Sequence, residues 1–409
     1  MAAMLTFAVA ACTDDDDTAS EQKWNPGNID LTQQQQQMAS GNAEFAVGLF
    51  ANAYAAQPGK SLVLSPQSMT YALSMLASGA DGQTLTELQR LLGFDDCTTD
   101  QIDEFCQKLM TECAKLDKSI TMNTANLLLA DNALPVSATY TNTLKTFYQA
   151  EAANMDFSQK QKVVDYVNTW SSQKTDGMVP KMIDDIGDGQ KLILMNAVCF
   201  KGQWYNKFSK SATRQQTFTR EDQSTTKVDM MAQEEKYLYY ENDTYQLVDL
   251  YYGNGSYRMA VLLPKAGKTV GDILSALTST DASSYSFSQV LAHLRQAKVD
   301  LQLPKFTTEG RQDYSLLLHS MGLEAPFSAS ANFSRLTDAS IHVSQILQGA
   351  KIIVDEEGTE AAAVTYVSGD LTSPGEPEHV TFTADHPFLY AIHEFSTGTI
   401  FFMGAYCGD

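Results

Sequence analysis

Residues 355 to 363 read Asp-Glu-Glu-Gly-Thr-Glu-Ala-Ala-Ala, an acidic turn with one glycine that runs into three consecutive alanines near the carboxyl end of the chain. Past Gly358 the odd positions are Thr359, Ala361, Ala363, Thr365, Val367 and Gly369, every one small or uncharged. The even positions hold Glu360, Ala362, Val364, Tyr366, Ser368 and Asp370. Both charges therefore share one face of an extended segment, because strand side chains alternate with period two. The other face is fit for burial. Alanine, glycine, serine and aspartate are nevertheless poor strand formers, and Ser373-Pro374-Gly375-Glu376-Pro377 follows, the composition of an exposed loop. The segment suits two states, a solvated loop and a strand inserted in a sheet with its small side chains inward.

The hinge formed by Glu356, Glu357, Gly358, Thr359, Glu360, Ala361, Ala362 and Ala363 resembles that of the serpins, where the same eight residue types open the reactive loop of inhibitory members. Further segments carry the resemblance in order. Ser61-Leu62-Val63-Leu64-Ser65-Pro66-Gln67-Ser68 through Leu91-Leu92-Gly93-Phe94 is similar to the family's second helix and the strand before it. Asn168-Thr169-Trp170 through Thr175-Asp176-Gly177-Met178-Val179 is similar to the end of the helix lying across the main sheet. Asn196-Ala197-Val198 and Phe200-Lys201-Gly202-Gln203-Trp204 resemble the strand that ends at the sheet's upper opening. Leu303-Pro304-Lys305-Phe306, His386-Pro387-Phe388 and Phe401-Phe402-Met403-Gly404 continue the series, which spans roughly residues 38 to 406. It implies a single-domain α+β serpin fold over 38–409, with three β-sheets, about eight or nine helices and an exposed reactive-centre loop at about 356–378.

The residues themselves agree with one large domain. No proline- or glycine-rich linker divides 38–409. Helical periodicity is clearest at 43–54, 65–78, 84–92, 101–115 and 140–150, and strand-like runs gather at 192–200, 245–252, 258–263, 298–303, 351–354, 387–393 and 399–403. With 49 acidic against 28 basic residues, the chain has no cationic face for phosphate backbones, so nucleic acid is excluded as a partner and polyanion activation is unsupported.

The amino terminus, Met4-Leu5-Thr6-Phe7-Ala8-Val9-Ala10-Ala11-Cys12, is a short apolar run ending at a cysteine and resembles a lipoprotein signal over residues 1–12, with Cys12 as the lipidation site. Asp14 to Asp17 follow and look like the surface-export signal of Bacteroidetes lipoproteins; a merely solvated acidic linker is the alternative. Residues 13–37 read as an acidic, polar tether, with Gln33 to Gln37 the lead-in to the first helix. Expected localisation is the cell envelope, as a surface-exposed outer-membrane lipoprotein, or secretion. Any membrane contact is through Cys12 alone. Cys97, Cys106, Cys113, Cys199 and Cys407 lack metal-ligand spacing and read as buried thiols, with a pairing of Cys97 as the alternative. No cofactor or metal is expected. A serine or metal hydrolase is disfavoured, since no Gly-x-Ser-x-Gly elbow occurs and His393-Glu394 lacks a second histidine four residues on.

The resemblance implies a monomeric suicide inhibitor whose partner is a target protease. The protease nucleophile attacks the loop, forms an acyl-enzyme, and is trapped when the loop inserts as a strand of the main sheet. Spacing from the hinge places the reactive bond at Thr372-Ser373; counting back from His386 lands near Glu376. Thr372 suits an elastase-like pocket, and Leu371 as the alternative suits chymotrypsin- or subtilisin-like ones. Ser65, Ser68 and Asn196 match polar positions beneath the sheet centre, and Trp204 matches the aromatic where insertion begins. Gln348 stands where the family carries a histidine, so a pH switch there is not expected. A non-inhibitory binding, transport or chaperone role and a surface binding module remain as alternatives.

Overall fold

The computed structural model describes residues 24–281, 284–359 and 378–409. The expectations for Cys12, Glu360, Ala361, Ala362, Ala363, Leu371, Thr372 and Ser373 fall outside those residues. The helices are α1 (Gln33–Ala55), α2 (Pro66–Gly79), α3 (Gly82–Leu92), α4 (Thr99–Leu116), α5 (Ala138–Tyr148), α6 (Lys160–Lys174), α7 (Val270–Leu277), α8 (Phe287–Ala292) and α9 (Ser315–Ser320). The strands are β1 (Leu62–Leu64), β2 (Thr121–Asp131), β3 (Glu151–Met155), β4 (Leu192–Gln203), β5 (Arg214–Thr219), β6 (Thr225–Glu241), β7 (Tyr245–Tyr252) and β8 (Tyr257–Pro264). They continue as β9 (Arg295–Pro304), β10 (Phe306–Asp313), β11 (Leu347–Val354), β12 (Gly358–Thr359), β13 (Glu378–Thr383), β14 (Phe388–Glu394) and β15 (Ile400–Tyr406). This is the expected α+β, single-domain architecture.

Local chemistry sets the helix starts. Thr32 and Gln35 close a capping box on α1, Thr98 and Gln101 do so on α4, and Ser65 caps α2 ahead of Pro66 at its first turn. The boundary of the tether consequently moves. Residues 33–37 form the first turns of α1 under the Thr32 cap, and Trp24 to Ile29 hydrogen-bond to the folded body, so 24–37 belong to the domain and not to a linker.

Hydrogen-bonded ladders join the strands into a six-stranded sheet, order β10-β11-β12-β4-β2-β3, and a nine-stranded network, β1-β15-β14-β8-β7-β6-β9-β13 with β5 on β6. The three expected sheets are linked in two networks because β6 is 17 residues long. Its early part, up to Met230, pairs with β5, the stretch from Met230 to Tyr239 pairs with β9, and its last residues, from Leu238, pair with β7. Alternation then divides the core. Met259, Val261 and Leu263 of β8 face the six-stranded sheet, while Ala260 and Leu262 face α1 and its neighbours. On the opposite side α6 and the segment after it cover the six-stranded sheet through Val163, Val167, Val179 and Met182.

Cys97, Cys106, Cys113, Cys199 and Cys407 are all buried free thiols. The alternative pairing of Cys97 is not made; its side chain accepts from Gln34 instead. Among the described residues no helix is long and apolar enough to cross a membrane, and no three His, Cys, Asp or Glu side chains gather as a metal site.

One buried charge cluster ties the ends of β7, β8 and β14. Arg258 Nη1 lies 3.3 Å from Asp249 Oδ2, both fully enclosed, and His393 Nε2 lies 2.9 Å from Asp249 Oδ1. Burial pushes the Asp249 carboxyl up, but the His393 and Arg258 contacts together hold it below the ordinary range. Removing one partner strands the others without water. Asp249→Ala is expected to lower stability by about 3–5 kcal/mol in urea unfolding, the range for breaking a buried pair.

The hinge wedge as candidate functional site

Asp355 ends β11 and starts a tight turn. Its N–H donates to Gly358 O (2.9 Å), and its carboxylate accepts from the N–H groups of Glu357 (2.9 Å) and Gly358 (3.2 Å). Gly358 has φ +149°, and a Cβ there would lie 2.1 Å from Gly202 O and 2.7 Å from Gln203 Cα, so both conformation and space demand glycine. The turn sends the chain back between β11 and β4. Thr359 pairs with Val354 on one side and Gly202 on the other, and Gly358 pairs with Gln203. Among the described residues no ladder joins β11 to β4 directly, so this two-residue strand is a wedge at one end of an otherwise open seam.

Thr359, odd in parity, is fully buried, and its hydroxyl sits 2.6 Å from Tyr252 Oη. Tyr252 stacks on Trp204 with ring centroids 4.3 Å apart and planes 12° from parallel. Trp204 in turn holds the turn backbone: its N–H donates to Glu357 O (2.9 Å) and its indole N–H to Asp355 O (2.9 Å), while Phe208 N–H donates to Glu356 O (3.0 Å). The two glutamates are fastened as well. Glu356 accepts from Lys305 Nζ (2.8 Å) and Thr213 Oγ1 (2.8 Å), and Glu357 from Lys207 (2.9 Å) and Lys210 (3.1 Å). For Glu356, burial raises the pKa but the hydrogen bonds from Lys305 and Thr213 reverse it, leaving the carboxyl below its ordinary value. For Glu357 the Lys207 hydrogen bond dominates and lowers it.

Farther along the seam lie the polar positions singled out from the sequence. Gln348 is buried on β11; its Oε1 accepts from Ser65 N–H (2.9 Å) and its Nε2 donates to Ser65 O (2.7 Å). Ser65 Oγ donates to Phe401 O (2.6 Å) and accepts from Ser68 N–H (3.2 Å). Ser65, Ser68 and Gln348 are thus one network, and none of the three titrates near neutrality. Asn196 is not in it. Its Nδ2 donates to Asn126 Oδ1 (2.6 Å), Asn126 Nδ2 donates to Tyr148 O (2.6 Å), and Asn196 Oδ1 is buried with no partner among the described residues.

The family model described as Serpin (serine protease inhibitor) matches residues 40–408. The chain belongs to the serpin family. Iripin-2 of Ixodes ricinus is 33% identical over 380 residues, covering 91% of this chain and 94% of the relative. Human corticosteroid-binding globulin is 30% identical over 385 residues, covering 93% and 92%. Among solved serpins, human thyroxine-binding globulin superposes with a TM-score of 0.81 at 29% identity, covering 91% of this chain and 98% of that one. Serpins are in general protease inhibitors rather than catalysts, and relatives named for hormone binding share the fold.

Sequence reasoning missed Tyr252, Asn126, Thr213, Lys207, Lys210 and the partner role of Lys305 in this serpin. Each reaches the seam from a distant part of the chain. Lys305 lay inside a segment already singled out, and Tyr252 ended the strand-like run 245–252.

Because both glutamates have lowered pKa values in the fold, the clamp they supply is whole above the ordinary carboxylate range and is lost as pH falls through the lowered values. The amide protons of Trp204 and Phe208, corrected for intrinsic rate, are expected to keep their exchange protection from neutrality down into the ordinary carboxylate range and to lose it only below that range. Glu356→Gln is expected to weaken that protection roughly ten-fold already at pH 7, since a charge-assisted bond is replaced by a neutral one.

Proposed function

We propose that this serpin is a covalent suicide inhibitor of serine proteases, with cysteine proteases as a second target class. The wedge carries the reading: the first inward residue after the hinge, Thr359, already occupies the seam, hydrogen-bonded on both sides and to Tyr252. The path for the rest is laid out by register. If insertion continues in this register, six residues farther along Thr365 would fall opposite Asn196 on β4 and Gln348 on β11, beside the unpartnered Asn196 Oδ1. A threonine at that step satisfies a polar group that an alanine would leave orphaned.

In this mechanism the protease nucleophile attacks the carbonyl carbon of Thr372. The Thr372–Ser373 bond breaks, Ser373 leaves as a new amine, and Thr372 remains esterified to the enzyme. Insertion then competes with hydrolysis. About fourteen residues at roughly 3.3 Å each carry the acyl-enzyme on the order of 45 Å, and the displacement distorts catalytic geometry that tolerates little error. The chain acts as a trapped substrate and not as a catalyst. Thr372 points to elastase-like enzymes, and Leu371 to chymotrypsin- or subtilisin-like ones. The reading extends to a monomer anchored through lipid on Cys12 and exposed at the cell surface, supported by the apolar run before Cys12 and the aspartates after it; the mass of the amino-terminal peptide from cells tests it.

Incubation with elastase-, chymotrypsin-, subtilisin- and trypsin-like proteases is expected to give, with at least one, a complex that survives denaturant and a released fragment beginning at Ser373 in mass spectra. Cleavage without any adduct across the panel overturns the inhibitor reading in favour of a non-inhibitory one.

Parity makes a sharper demand. Thr359→Arg forces a cation into the closed seam and is expected to turn inhibitor into substrate, cutting complex yield by roughly ten-fold or more. Glu360→Arg, on the other face, is expected to leave most of the yield. Equal losses on a complex-forming gel would refute the assignment of faces.

A further inference from the structure

Where α2, α4 and α5 meet, a carboxyl group is shut inside the protein without a cation beside it. Asp103 of α4 is 2% exposed, and among the described residues no basic side chain lies within ion-pair distance of it. Arg335, whose charge reaches it from farther off, is engaged with Asp81 (3.8 Å) and Thr99 (2.9 Å). The partners of Asp103 are neutral. Its Oδ1 lies 2.6 Å from Ser78 Oγ of α2 and 2.7 Å from Tyr148 Oη of α5. Ser78 Oγ also lies 3.0 Å from Ser74 O, the carbonyl one turn earlier on its own helix. An enclosed charge held only by neutral groups is costly, and a carboxylate so placed takes up a proton in preference.

The protons can be counted. Three oxygen–oxygen contacts at hydrogen-bond distance link Ser74 O, Ser78 Oγ, Asp103 Oδ1 and Tyr148 Oη in a row. The two hydroxyls bring one proton each. With Asp103 ionised, Tyr148 donates to it, but Ser78 can serve only one of Asp103 and Ser74 O, so one contact has no proton in it. With a proton on Oδ1, Asp103 donates to Ser78, Ser78 donates to Ser74 O and Tyr148 still donates to Oδ1. Every contact is then filled. The other titratable or charged groups facing Asp103 are Asp100 and Cys106 of its own helix, Tyr140 and Tyr148 of α5, and Arg335. Burial pushes Cys106, Tyr140 and Tyr148 up, so those three stay neutral in mild acid.

We propose that Asp103 is a proton-operated tie between α2, α4 and α5: protonated, it completes the chain of hydrogen bonds that joins the three helices, and ionised, it breaks that chain at Ser78. Burial pushes the Asp103 carboxyl up to about 6, against the smaller opposing pull of the Ser78 and Tyr148 hydrogen bonds. An unfolded aspartate takes its proton near pH 4. The folded state therefore binds the proton more tightly, and the stability this group supplies is whole below about pH 4, falls as pH rises to about 6 and is flat above. The sign is opposite to that of Glu356 and Glu357, whose clamp is lost on acidification. Mild acid tightens the helix junction while the hinge is still fastened. The proposal does not depend on loop insertion.

The test uses the full chain and no protease. Wild type and Asp103→Asn are unfolded in urea from pH 4 to 8 and compared at each pH, so that the other titrating groups cancel. Asparagine reproduces the protonated form, with an N–H for Ser78 and an oxygen for Tyr148. Asp103→Asn is expected to be the more stable chain at pH 8, by up to about a hundred-fold in the unfolding constant, ten-fold for each pH unit between about 4 and 6. That advantage is expected to fade between pH 6 and 4. An advantage at pH 8 no greater than at pH 4, or none at either, overturns the proposal. If Asp103→Asn does not fold, Tyr148→Phe decides by infrared spectroscopy of the native state. Loss of the donor that favours the carboxylate is expected to keep the last protonated-carboxyl band to a pH about one unit higher than in wild type. A band lost at the wild-type pH, or absent from wild type at pH 5, overturns the proposal as well.

Discussion

The facing edges of β11 and β4 are the constraint on which the rest depends. Backbone N–H and C=O groups along a strand edge require partners, and here, among the described residues, only Gly358 and Thr359 bridge the seam. Everything around the wedge serves to hold it. Trp204 and Phe208 take its carbonyls, Tyr252 takes its hydroxyl, and four side chains, Lys207, Lys210, Thr213 and Lys305, take its two glutamates.

The seam's polar lining shows how one substitution is absorbed. Gln348 binds the Ser65 backbone at two points, fixing β11 to the start of α2 without a titratable group. Asn196 turns instead to Asn126, which leaves a single buried oxygen unmatched. A buried acceptor left without a partner costs about 1–3 kcal/mol.

Much of the architecture was legible because it is local. The period of the apolar residues located α2 and α4, and continuous apolar runs located β4, β8 and β14. Strand β2 was not foreseen. Its opening Thr121-Met122-Asn123-Thr124-Ala125-Asn126 has little strand preference, and it is extended because β4 pairs with it from Thr121 to Ala130. The tether was drawn too long because polar composition alone does not report a seat such as that of Trp24. At the hinge, parity identified the inward residue, as that depends only on neighbours in the chain. Its clamps were hidden, because Tyr252 and Thr213 reach it from more than a hundred residues away.

The buried cysteines give the fold a chemical character of its own. Burial pushes the Cys106 and Cys407 thiols up to about 12 and also pushes Cys113 well up, so at neutral pH they hold almost no thiolate, the form that oxidises and is alkylated. With every described cysteine reduced and enclosed, the redox poise of the surroundings has no handle on the native molecule. Among the described residues no disulfide joins the parts on either side of the seam. Their sliding is opposed only by contacts that can re-form, and a thiol reagent that labels Cys106 or Cys113 reports that the helices have come away from the sheet.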